Sequence, residues 1–149
     1  MKYLITRLTL TAALSTVAMF GSDDHFSRIA DAAQKTQAEA RDLSAALKPK
    51  NADMKAIHGR MDTLQNHALE LTQMVEAAQS SAASLTGPKK AEFERLATAA
   101  KIVSIFVENK KNMLGRDDAA RNRSIIRANA DGIAQRAAMV QKSALKLKS

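Results

Sequence analysis

The sequence predicts an all-α protein: an up-down-up-down antiparallel four-helix bundle following an N-terminal signal segment. Three observations carry that prediction. Met54, Ile57, Met61, Leu64, Ala68, Leu71, Val75, Ala78, Ala82 and Leu85 step by three and four along one stripe. A helix places such positions on one face, whereas a strand would place alternate residues there. Three further segments repeat the pattern. Only two prolines and five glycines interrupt the 149 residues, and Pro49, Gly87-Pro88 and Gly115 fall between the stripes rather than inside them.

The first twenty residues differ from the rest. Lys2 and Arg7 make a short basic start, and Leu8 to Phe20 is a charge-free run of 13 residues. A membrane span needs about 20 apolar residues and a secretory signal a core of roughly 7–15. The run therefore predicts a signal peptide over residues 1–18, cut after Ala18 with Thr16 in the small-residue position. The competing readings are an uncleaved anchor and an amphipathic first helix of a cytoplasmic protein, using Leu4, Leu8, Ala12 and Met19.

The bundle is expected over residues 22–149 as a single domain, with no repeat and no linker. Helix one is expected over 23–48, with Ser22, Asp23 and Asp24 satisfying its exposed N–H groups. Its seam is Phe26, Ile29, Ala33, Thr36, Ala40, Leu43 and Leu47, and Pro49 stops it. Helix two is expected over 51–85, capped by Asn51 with Asp53 in its first turn. Gly87 supplies a left-handed position after it, and Pro88 suits the first turn of the next helix. Helix three is expected over 88–114, with Phe93, Leu96, Ala100, Val103 and Val107 as its seam. Helix four, expected over 117–147 from Asp117-Asp118, carries Ile126, Ala130, Ile133, Ala137, Val140, Ala144 and Leu147. Its alternation of branched residues with alanine, and Gly132 beside it, predict close approach of a neighbouring helix. Connections this short imply antiparallel neighbours.

Composition narrows the function classes. At 46% hydrophobic residues the chain is too apolar for a disordered polyelectrolyte. Its lack of cysteine excludes disulfides, thiolate metal sites, covalent c-type haem and a thiol nucleophile. Residues 22–85 hold seven basic and nine acidic groups, whereas residues 88–149 hold fourteen and six. The second half thus carries nearly all of the +8 net charge. Many of these cations flank the seams, where they are expected to meet acids of the first two helices. The excess points to an anionic surface, with Arg121, Arg123 and Arg127 as the contact. Without aromatic stacking platforms, sequence-specific nucleic-acid recognition is not expected.

Motifs for catalysis do not occur: no Gly-x-Ser-x-Gly, no phosphate-binding glycine loop, no His-Glu-x-x-His. Glu-x-x-His, which a di-iron bundle uses, is also missing, since His67-Ala-Leu-Glu70 runs in reverse. Noncovalent haem lacks a second histidine after His67. Met54, His58 and Met61 lie within two helical turns and form a thioether–imidazole–thioether set suited to Cu(I); the competing reading is that the methionines fill the core. Ile102, Ile105 and Phe106, in an apolar run rich in β-branched residues, overrun the seam of helix three and are the expected partner contact.

The function expected is that of an exported, non-enzymatic helical bundle without cofactor, periplasmic or secreted. It would act as a cell-envelope interaction, structural or sensing module, binding a protein partner or itself and meeting the membrane only transiently through its signal. The alternatives are a copper or small-cofactor carrier, and a basic cytoplasmic binder of an anionic polymer or granule surface.

Overall fold

The structure, a computed structural model, describes residues 22–114 and 122–148. The expected signal over 1–18, the break at Gly115, the helix start at Asp117-Asp118 and Arg121 lie outside the described residues. Four helices make up the fold: α1 (Ser22–Ala46), α2 (Met54–Ala82), α3 (Gly87–Leu114) and α4 (Arg123–Lys148). Among the described residues there is no strand. The β-branched run Ile102–Val107 is helical throughout, because Val103 and Val107 find an interior to fill.

The helix ends show what the chain uses as stops. The last turn of α1 is closed by Leu47 N–H on the Leu43 carbonyl and Lys48 N–H on Ala45, both at 3.1 Å. Asp53, not Asn51, caps α2. Its carboxylate accepts the backbone N–H groups of Lys55 at 2.9 Å and Ala56 at 3.3 Å. An ionised acceptor at this position also meets the positive end of the helix dipole, an advantage an asparagine lacks. The helix consequently begins three residues later than expected. At its other end Ala83 N–H returns to the Gln79 carbonyl at 3.1 Å and Leu85 N–H to Ala82 at 3.0 Å. Gly87 then takes φ +54°, the left-handed conformation that a side chain would strain.

All four stripes point inward. Each seam residue of α1, α3 and α4 named above is buried, as are the α2 seam residues from Ile57 to Ala82. Met54 and Leu85, at the ends of the α2 stripe, are half-buried. Backbones come close for α1–α2, α2–α3, α3–α4 and α4–α1, and for neither diagonal pair among the described residues, where only side chains meet across the interior. The α1–α4 pair is the most extensive, as expected where Ala30, Ala33 and Ala40 lie on one helix and Ala130, Ala134 and Ala137 on the other. Thr36, wholly buried in α1, donates its hydroxyl to the Ala32 carbonyl at 2.9 Å and so adds no unsatisfied group.

The interior divides into two clusters. One joins Phe26 and Ile29 of α1, Leu71 and Val75 of α2, Phe93 and Leu96 of α3, and Val140 and Leu147 of α4. Phe26 and Phe93 meet edge to face there, with ring centroids 6.3 Å apart. The other joins Leu43, Ile57, Leu64, Val103, Val107, Ile126 and Ile133.

Gly132 does not serve the close approach expected of it. A Cβ built at this residue meets nothing within 4 Å, because the α1–α4 contact is made by the alanines of the seam. Two measurements of unfolding midpoint follow. Leu64→Ala, at a site with no solvent exposure, is expected to cost about 2–5 kcal/mol. Gly132→Ala should instead stabilise the fold by about 0.5–1 kcal/mol, since it gains helix propensity without a clash.

Candidate functional site

The residues picked from the sequence fall into three places. Met61 belongs to the interior cluster with Ile57 and Leu64, Met54 packs on that cluster from its edge, and His58 is exposed. The three donors are thus divided between interior and solvent, and a soft metal reaching the Met61 sulfur has to displace core packing. Among the described residues no group of three or more His, Asp or Glu converges on one point. His67, one heptad beyond Arg60 on α2, is half-buried, and its Nδ1 has no hydrogen-bond partner.

Arg123 opens α4 and reaches across to the end of α1. Its guanidinium donates to the Leu47 carbonyl at 3.0 Å and to the Lys50 carbonyl. These carbonyls follow the last residue of α1 and lack intrahelical donors, so a cation is well placed there by both hydrogen bonding and the helix dipole. Arg123 therefore fastens the start of α4 to the end of α1, whereas Arg127, one turn on, is exposed. Nothing in the sequence marks Arg123 as different from Arg127, because its partners are more than seventy positions away.

The α3 candidates also separate. Ile105 is 50% exposed; Ile102 is half-buried, and Phe106 is half-buried against the second core cluster. Ile105 edges a groove between α2 and α3 of about 490 Å³, whose walls include Thr72, Val75 and Gln79 opposite Ala97, Lys101 and Ser104. A second hollow of about 280 Å³ continues from Ser104 toward Val107 and is edged by Leu69, itself 55% exposed. Two large exposed apolar side chains thus edge adjoining hollows between α2 and α3, which share Ser104. Ile102 faces the other way, into a hollow shared with Arg136 and Met139 of α4.

A polar cluster that the sequence did not announce joins α3 to α4. Glu92 accepts the Ser143 hydroxyl at 2.6 Å and the Lys146 ammonium at 3.4 Å, and Arg95 lies 3.5 Å from its other oxygen. The Ser143 hydrogen bond and, after it, the neighbouring cations hold the Glu92 carboxyl below its ordinary value, against the opposing effect of burial. On the opposite pair of helices Arg60 of α2 meets Glu39 at 3.1 Å and Asp42 at 3.6 Å on α1. These interhelical ion pairs lie within each half of the chain, so they do not cancel the positive excess of α3 and α4 against acids of α1 and α2.

The chain matches no family model, and comparison with curated proteins and with solved structures gives no match. No helix among the described residues is long and apolar enough to cross a membrane.

Arg123→Met is expected to lower stability by about 1–2 kcal/mol, because the carbonyls of Leu47 and Lys50 lose a charged donor. Glu92→Gln should be less stable than the wild type at neutral pH. A carboxyl whose folded pKa is depressed stabilises the fold above the ordinary carboxylate range and loses that contribution as pH falls through the folded value. The gap in urea midpoint between Glu92→Gln and wild type should therefore close on acidification.

Proposed function

We propose that this chain is an exported, non-enzymatic helical-bundle protein whose α2–α3 face is an interaction surface in the cell envelope. The observation that carries the reading is the presence of Ile105 and Leu69, each at least half exposed, at adjoining hollows between α2 and α3. A helix interior this well sorted leaves few large apolar residues outside, and those that gather on one face mark contact with another chain. In this reading residues 1–18 are the export signal and the mature chain begins at Met19. The helices run up-down-up-down, an order supported by the clusters, in which the first half of α1 meets the second half of α2, the first half of α3 and the second half of α4. A second copy of the chain is the simplest partner. Ile102, which faces the α3–α4 hollow, and Phe106, which packs on the core, lie outside this contact.

Sedimentation of the mature protein across a concentration series tests this directly. Self-association is expected, and Ile105→Asp should weaken it roughly tenfold or more while helical content is unchanged. Ile105 is the probe because an aspartate at Phe106 would also disturb the interior. A mature protein that stays monomeric, or an Ile105→Asp variant that associates as before, would remove the proposal. Mass analysis of protein from its native compartment should separately show loss of the first 18 residues.

A further inference from the structure

The end of the bundle where α3 begins and α4 finishes carries several exposed lysines and an exposed leucine. Lys89 and Lys90 occupy the first turn of α3, and Lys142 and Lys148 lie in the last turns of α4, all exposed. Contacts of Glu92 with Ser143 and Lys146 hold the two helix ends side by side. Leu145, between Lys142 and Lys148 in sequence, is 51% exposed and edges a shallow hollow with Lys142 and Ala138. Glu92, three residues after Lys89 on α3, is bonded by Ser143 and Lys146. Asp23 and Asp24, in the first turn of α1, and Glu94 on α3 are the opposing charges at this end.

We propose that this end of the bundle is a docking surface for an anionic lipid bilayer. Cations that flank an exposed aliphatic side chain match the two layers of such a surface. The ammonium groups stay among the headgroups, and the leucine enters the acyl boundary beneath them. A soluble polyanion would use the lysines but leave Leu145 without a role, so the leucine favours lipid over nucleic acid or an acidic protein. The inference does not rest on the α2–α3 contact proposed above, which uses a different face.

Flotation of the full-length chain with vesicles tests the proposal. Binding is expected to phosphatidylglycerol-containing vesicles over pure phosphatidylcholine ones, and it should weaken as salt is raised. Each lysine near such a surface strengthens partitioning by roughly fivefold. Lys142→Gln/Lys148→Gln should therefore lose roughly 25-fold, and Leu145→Gln should also lose binding, with circular dichroism confirming that the fold is kept. Equal binding to both vesicle types would overturn the inference and place any membrane contact in the apolar N-terminal run. Loss in the lysine variant with none in Leu145→Gln would also overturn it, pointing to a soluble polyanion.

Discussion

Every other feature of this molecule depends on four apolar stripes closing around a shared dry interior. Each helix is apolar on one side only, so none can bury its stripe without the others. Leu64 of α2, Val103 of α3 and Ile133 of α4 are all without solvent exposure in one cluster, together with Leu43 of α1. The alanines between α1 and α4 let two backbones come close, and the larger residues fill the wider seams. With few polar groups in the core, and Thr36 bonding its own helix, the interior asks little of directional chemistry.

The polar contacts work at the ends and along the rims. Arg123 ties the start of α4 to the carbonyls that follow α1, in the part of the bundle built around Leu43 and Ile126. Glu92 ties α3 to the last turns of α4 in the part built around Phe93 and Leu147. The two devices fasten opposite ends of α4, the helix that must return to α1 to complete the ring of contacts. The interhelical ion pairs described above, Arg60 with Glu39 and Asp42 and Lys146 with Glu92, lie within α1–α2 and within α3–α4.

Periodicity made the fold legible. A stripe that steps by three and four is a property of neighbouring residues, so the buried face of α2 from Ile57 to Ala82 can be seen without knowing what it packs against. Helix ends were legible only to within a few residues. Choosing Asp53 over Asn51 as the cap depends on which backbone leaves the helix, and nearby residues of similar chemistry compete for that place. Gly132 suggested a close approach that the alanines of α4 already provide. The candidate sites were less legible, because they depend on pairings between distant positions. The carbonyls bound by Arg123 and the hydroxyl that meets Glu92 become neighbours only after helix order and register are known. Helical spacing put Met54, His58 and Met61 on adjoining positions; packing then took Met61 inside and left His58 in water. Ile102, Ile105 and Phe106 likewise share a short apolar run, but Ile102 and Ile105 face different grooves and Phe106 packs on the core.

Native-state hydrogen exchange tests the shared interior most directly. If the four stripes form one cooperative unit, the slowest amides around Leu43, Leu64, Val103 and Ile133 should exchange with a common opening free energy, equal to that of global unfolding. Opening of any one helix at a clearly lower free energy, with the remaining three still protected, would contradict the account.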